Sequence, residues 1–258
     1  MKEWFIITGA SSGIGRELAI QLANAHHNVL ITGRREIELK RTQVLSKNPS
    51  LISYVAADFT DKSCIGNIVQ KLSQTDRVLC LVHCAATCEP LAPLLNTTEE
   101  QFEESNRVNV TSPLALTRKL QPFFVPKARV LFFGSDYVGM DGKMRKDLTG
   151  VYGMAKSSLA YAVLQLKLEH KEFIVGYINP GATDTDMFKT IVTKAGLFNN
   201  TPKPASTEQV ALFVINVLKY TDDHEFSKIH WDFRKQEQQE LFSAYNQARG
   251  FLKVSSKL

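Results

Sequence analysis

No uninterrupted apolar run in the 258-residue sequence approaches the ~20 residues that a membrane-spanning helix requires, so a span is excluded. Cysteine is scarce. The four present, Cys64, Cys80, Cys84 and Cys88, are too few for a disulfide scaffold and show neither a CxxC pair nor a Cys/His metal spacing. They read as reduced thiols in or near a core, and no metal site is expected. With 9 Pro and 14 Gly, collagen-like and low-complexity chains are excluded. An excess of one charge is also missing, because 31 Lys plus Arg against 26 Asp plus Glu leaves only +5. The basic residues are scattered, so no nucleic-acid footprint is expected. The densest group, Lys143, Arg145 and Lys146, shares its segment with Asp141 and Asp147, and reads as a solvated loop or a contact for an anionic ligand. The first apolar segment begins at Trp4, which leaves no room for a signal peptide. A reducing, cytoplasmic setting is the expectation.

What the chain does have is alternation. Apolar runs of strand length fall at Trp4–Thr8, Asn28–Thr32, Ile52–Ala56, Val78–His83, Arg129–Gly134 and Ile174–Asn179. Their near-continuous hydrophobicity suits parallel strands covered on both faces. Helical patterns lie between them, at Ile14–Ala25, Arg35–Ser46, Lys62–Leu72, Val151–His170 and Thr207–Leu218. A short strand at Lys228–Phe233 and a polar helix from Gln236 to about Ala248 follow. This order predicts an α/β fold, a doubly wound parallel sheet with right-handed crossovers. One domain over residues 1–258 is the economical reading, with an irregular segment from Met187 to Pro204.

Directly after the first strand stands Thr8-Gly9-Ala10-Ser11-Ser12-Gly13-Ile14-Gly15, followed by a helix. Glycines in such a turn permit a tight bend, close approach of backbone to a pyrophosphate, and close packing of helix on strand. The GxxxGxG spacing differs from both GxGxxG and the phosphate-binding GxxxxGK[ST] pattern. Further along, Tyr152 and Lys156 stand four apart on one helix face. A phenol with a pKa near 10 is a poor proton donor or acceptor at neutral pH, and a nearby ammonium favours its ionised form. Ser135 ends an expected buried strand, and the carboxyl ends of parallel strands are where such sheets bind ligands.

Together these features resemble the short-chain dehydrogenase/reductase family over nearly the whole chain. The landmarks are Thr8–Gly15, Asp58 after the third strand, Asn109 in Val-Asn-Val, Ser135, Tyr152-x-x-x-Lys156, and Pro180-Gly181. The resemblance implies a nicotinamide cofactor and hydride exchange between a carbonyl and an alcohol. It implies that Ser135 holds the substrate oxygen, Tyr152 passes the proton, Lys156 binds the ribose and tunes Tyr152, and Asn109 holds a relay water. Cofactor contacts are implied at Gly9, Ser11, Ser12, Gly13, Ile14, Gly15, Ala85, Tyr152, Lys156, Pro180, Gly181, Thr183 and Thr185. Asp58 would face the adenine, unless it merely caps a helix.

Two departures stand out. The family's Asn-Asn-Ala-Gly reads His83-Cys84-Ala85-Ala86 here, and sixteen residues separate Ser135 from Tyr152, a few more than usual. Asp184–Met187 and His230–Phe233 are similar to sepiapterin- and benzil-reductase-like members.

The end of the second strand reads Thr32-Gly33-Arg34-Arg35, without the carboxylate that favours NAD(H). Arg34 can grip a 2′-phosphate and Gly33 leaves room for one, so NADP(H) is expected, while Arg35 reads as the solvated start of a helix. A homodimer or homotetramer is expected, because Leu159, Ala160, Val163, Leu164 and Leu166 make the Tyr152 helix apolar over much of its circumference. The resemblance implies a small or medium-sized carbonyl or alcohol as substrate, and Thr87–Pro93, Met140–Thr149 and Met187–Pro204 are expected to form most of its pocket. A dinucleotide-sensing regulator without turnover is the rival reading, against which the full Asn109, Ser135, Tyr152 and Lys156 set argues. An epimerase or dehydratase on the same scaffold would carry a differently spaced glycine motif. The terminal Ser256-Lys257-Leu258 spells a peroxisomal address and offers that compartment as the alternative in a eukaryote.

Overall fold

Side chains along a strand point alternately to opposite faces, and in this sheet both faces are covered. Phe5, Ile7, Val29, Ile31, Val82 and Leu131 enter one core, while Trp4, Ile6, Leu30, Leu81, Val130 and Phe132 enter a second on the other side. That double burial is why the strands read as apolar runs without a polar face. The computed structural model describes residues 1–136, 147–196, 203–228 and 230–240. The Lys143–Lys146 group, most of Met140–Thr149, the end of the Gln236 helix and Ser256-Lys257-Leu258 lie outside the described residues.

The strands are β1 (Glu3–Thr8), β2 (Asn28–Gly33), β3 (Ile52–Ala56), β4 (Arg77–His83), β5 (Phe124–Phe133), β6 (Ile174–Asn179) and β7 (His230–Asp232). All pair in parallel, in the order β3-β2-β1-β4-β5-β6-β7. The helices are α1 (Gly13–Asn24), α2 (Glu36–Leu45), α3 (Cys64–Gln70), α4 (Glu99–Asn106), α5 (Ser112–Leu120), α6 (Gly150–Glu169), α7 (Asp186–Lys194), α8 (Thr207–Tyr220) and α9 (Asp223–Lys228). The fold is a single-domain doubly wound parallel sheet, as the alternation predicts. The strand order reverses between β1 and β4, and ligands bind in the crevice outside such a switch point.

Three segments differ from the sequence reading. Asp186–Lys194 forms α7 where an irregular run was expected, because Thr185 accepts a hydrogen bond from the Phe188 amide at 3.2 Å and starts the helix. β5 begins at Phe124 rather than Arg129, and an irregularity in its pairing with β4 falls between Val78 and Cys80. The stretch before β7 is the short helix α9, whose Phe226 is fully buried in the first core. Among the described residues, no helix is long and apolar enough to cross a membrane, and no group of His, Cys, Asp or Glu forms a metal cluster.

Candidate active site

The glycine turn is shaped by contact as well as by bending. Gly9 adopts φ +70°, and a Cβ there would stand 2.7 Å from the backbone of Ala85. A Cβ on Gly15 would stand 2.7 Å from the Gly9 carbonyl oxygen. Only glycine fits at either place. The buried Thr8 locks β1 to the end of β4, its Oγ1 accepting hydrogen bonds from the amides of Cys84 and Ala85, each at 3.1 Å. This contact fixes the turn after β4. His83 is also anchored, with Nε2 2.8 Å from Thr117 Oγ1 and its ring stacked on Phe132. Burial lowers the His83 pKa to about 3 and pushes the Cys84 thiol up to about 12, so neither carries charge at neutral pH.

One cleft of about 400 Å³ opens at the switch point. Its wall contains Gly9, Ser11, Ser12, Gly13, Ile14, Gly15, Arg34, Asp58, Ala85, Tyr152, Lys156, Pro180 and Thr185, all expected from the sequence. Asn109, Ser135, Gly181 and Thr183 are not part of that wall. Thr183 is buried beneath it, with Oγ1 donating to the Pro180 and Gly181 carbonyls at 3.4 and 3.3 Å. Gly181 donates its amide to Asn179 Oδ1 at 3.0 Å. Thr185 reaches across to the glycine turn, its methyl 3.1 Å from where a Cβ on Gly13 would sit.

Tyr152 and Lys156 occupy the start of α6 and are 6% and 2% exposed. The Lys156 Nζ donates to the Phe133 carbonyl oxygen at 2.9 Å and lies 5.8 Å from the Tyr152 ring centroid. Burial lowers the Lys156 pKa to about 8, so its ammonium persists at neutral pH. Tyr152 packs with Cys88, Ile191, Leu91 and Met187, which brings the segment after β4 and α7 against the phenol. At the rim, Lys194 Nζ pairs with Glu89 Oε1 at 2.7 Å.

Asn109 sits in a π-turn, Arg107–Thr111, between α4 and α5. Its Nδ2 donates to the carbonyls of Thr87 and Ser105 at 2.9 and 3.0 Å, while Oδ1 accepts from the Thr87 amide at 3.1 Å. The side chain therefore pins the segment after β4. Residue 113, four beyond Asn109, is proline and has no N–H to give to the Asn109 carbonyl. Ser135 follows β5 directly, where the Gly134 amide bonds the Ile178 carbonyl at 2.7 Å. Asp58 caps a turn rather than a helix, its Oδ1 accepting from the Thr60 amide and hydroxyl at 3.0 and 2.9 Å, while it also lines the cleft.

Arg35 is the main residue that sequence reasoning misplaced. It does not simply start a solvated helix, because its guanidinium donates to Ser12 Oγ at 2.8 Å and it lines the cleft beside Arg34. Cys84, Glu104 and Val108 also enter the wall without a sequence signal of their own, while Thr87, Cys88, Glu89, Met187 and Thr190 come from two of the segments expected to bind substrate. The glycine cradle, the open N-terminus of α1 and the two arginines fit a dinucleotide phosphate.

Comparison with known proteins points the same way. Residues 3–196 match the family described as short chain dehydrogenase. An uncharacterized oxidoreductase of Saccharomyces cerevisiae is 29% identical over 193 residues, covering 71% of this chain and 75% of the relative. An uncharacterized oxidoreductase of Escherichia coli is 27% identical over 190 residues, covering 70% and 74%. The solved structure of a short-chain dehydrogenase from Sphingobium yanoikuyae in complex with NADPH superposes with a TM-score of 0.74 at 19% identity, covering 99% of this chain and 98% of that one.

Proposed function

The chain belongs to the short-chain dehydrogenase family of oxidoreductases, and within it we propose an NADP(H)-dependent enzyme that interconverts a carbonyl and an alcohol on a small or medium-sized molecule. The observation that carries this reading is the buried Lys156 ammonium beside Tyr152, in the same cleft as the glycine turn. The nicotinamide, when bound, supplies or accepts the hydride. In the reductive direction Tyr152 gives its phenolic proton to the developing alkoxide. The Lys156 charge stabilises the phenolate left behind. Ser135 donates a hydrogen bond to the same oxygen, where charge builds up. Asn109 holds the segment after β4 in place through its side chain and offers its main-chain carbonyl to a relay water.

Preference for NADP(H) is supported by Arg34 and Arg35 at the rim and by Gly33 beside them. Each charge-assisted hydrogen bond contributes on the order of 1.5–3 kcal/mol, so either arginine accounts for a tenfold to hundredfold preference. The test is kcat/KM with both cofactors for wild type, Arg34→Ala and Arg35→Ala, on a panel of carbonyl compounds. The preference is expected to fall in both variants; an NADH-preferring wild type, or unchanged ratios, would reject the assignment. Arg35→Ala is expected to be the weaker of the two, because its guanidinium already holds Ser12. We assign a homo-oligomer as the assembled form and the cytoplasm as its setting; four separate thiols support a reducing compartment. Imaging a fluorescent fusion tests the latter.

A further inference from the structure

Behind the site lies a polar network whose charged members, Asp136, Asp232 and Arg234, stand outside the family landmarks. It begins at Asp136, the residue after Ser135, whose side chain is only 12% exposed. The Arg234 guanidinium meets Asp136 Oδ1 at 2.6 Å and Asp232 Oδ2 at 2.6 Å, and its Nε donates to Asp232 Oδ1 at 3.0 Å. Asn179 at the end of β6 donates to the same Asp136 oxygen, and its own Oδ1 accepts the Gly181 amide at 3.0 Å. The aliphatic stem of Arg234 covers Gly181, where a Cβ would stand 2.9 Å from Arg234 Cγ. The Phe233 amide, next to Arg234, bonds the Asn179 carbonyl at 3.0 Å.

We infer that Arg234 is a positioning residue for the reaction: it ties the segment carrying Ser135 to the segment carrying Pro180 and Gly181, and both to β7. The inference rests on the oxidoreductase reading above. Ser135 and Pro180 emerge from adjacent strands whose register ends at Phe133 and Ile178, with one further backbone bond from the Gly134 amide to the Ile178 carbonyl at 2.7 Å. Beyond that bond, the side chains of Asp136, Asn179 and Arg234 link the two segments. A guanidinium suits this task because its planar fork can hold two carboxylates in fixed directions, which a lysine ammonium cannot. Asp136 and Asp232 are both largely screened from solvent, at 12% and 14% side-chain exposure. Without the cation between them they repel each other, and the end of β5 moves away from β7. Tyr177 adds to the constraint from below: it is 3% exposed, and a Cβ on Gly134 would collide with its ring at 2.1 Å.

The experiment compares wild type, Arg234→Ala, Arg234→Lys, Asp136→Asn and the double variant Arg234→Ala/Asp136→Asn. Hydrogen exchange is followed in the stretches 134–136 and 179–183, together with NADPH affinity by fluorescence and turnover on the best carbonyl substrate. In Arg234→Ala, both stretches are expected to exchange faster and kcat to fall between about tenfold and hundredfold, the range that small misplacements of reacting groups produce. NADPH affinity, set mainly at the remote glycine turn, should change less than about threefold. The double variant should recover part of the lost kcat, because Asp136→Asn removes the carboxylate repulsion; a purely structural role would make it worse. Wild-type kcat in Arg234→Ala, unchanged exchange, or an additive double variant would overturn the inference. Should Arg234→Ala fail to fold, Arg234→Lys carries the same comparison, with a partial loss expected and wild-type behaviour counting against. A wild-type protein that turns over no carbonyl would defeat the oxidoreductase reading, and exchange alone would then decide whether Arg234 is the clamp.

Discussion

At the scale of single residues, Tyr152 and Lys156 are made useful by burial. Removing only the hydroxyl in Tyr152→Phe leaves the packing against Cys88 and Ile191 intact. It should therefore fold normally and lose at least about two orders of magnitude in turnover, the contribution expected of general acid–base catalysis. Near-normal steady-state rates in a folded variant would contradict the mechanism. Lys156 is costly as well as necessary. Its folded pKa of about 8 lies below the ordinary 10.5, so the charged form is disfavoured in the folded protein. The sign follows from proton counting: between the two values the unfolded chain binds more protons, and the contribution of this group to stability rises with pH there. Below about pH 8 the penalty is fully present, on the order of 3 kcal/mol. Lys156→Met should accordingly raise Tm at pH 7 while abolishing turnover, and the Tm advantage should shrink as pH rises from 8 towards 10. Calorimetry across that range checks both signs. The YxxxK spacing made the pair legible in sequence; the depth of Lys156 beneath Phe133 was not.

At the scale of elements, the junction of β1 with β4 explains why His83-Cys84-Ala85-Ala86 can serve where the family has asparagine and glycine. Thr8, in β1, supplies one oxygen to two amides that lie 76 and 77 residues away. Thr8→Val keeps the shape of the side chain and strips that acceptor, leaving two amides without their partner. A loss of about 1–3 kcal/mol is expected in denaturant unfolding, the usual cost of unsatisfied buried groups, together with weaker NADPH binding. Unchanged stability would show that the turn after β4 is held by other contacts. The same scale shows a limit of periodicity. The stretch 187–194 carries Asn- and Pro-rich sequence downstream, which masked the start signal at Thr185, and the π-turn at Asn109 has no local signature beyond the proline that follows.

At the scale of the whole molecule, α6 has more apolar surface than its own sheet covers, although of the residues that the sequence count named only Leu164 belongs to it. Leu159 and Val163 are buried in the second core, and Ala160 and Leu166 pack against it. The uncovered stripe is Met154, Tyr161, Leu164 and Leu168, from 52% to 70% exposed. These positions recur at helical spacing on one face, and such contiguous exposed apolar surface marks an interaction site. A second copy of the chain is the expected occupant. The double variant Tyr161→Glu/Leu168→Glu should shift the light-scattering mass towards the monomer at micromolar concentration, and a monomeric wild type would refute the assignment.

The sequence by itself determined the layered α/β architecture, the single domain, the place of the glycine turn and the Tyr152–Lys156 pair. Each of those is written in local spacing: buried parallel strands must be apolar throughout, a turn that meets a neighbouring backbone must be glycine, and helix neighbours stand four apart. Tertiary structure alone decided that Arg35 grips the turn at Ser12, that Thr8 fixes the end of β4, and that Arg234 joins Asp136 to Asp232. It also decided which face of α6 stays bare. These contacts link residues up to about a hundred positions apart, between Arg234 and Asp136 for example. Their partners become neighbours only when the sheet order brings the strand ends together, and no periodicity in the chain records that order.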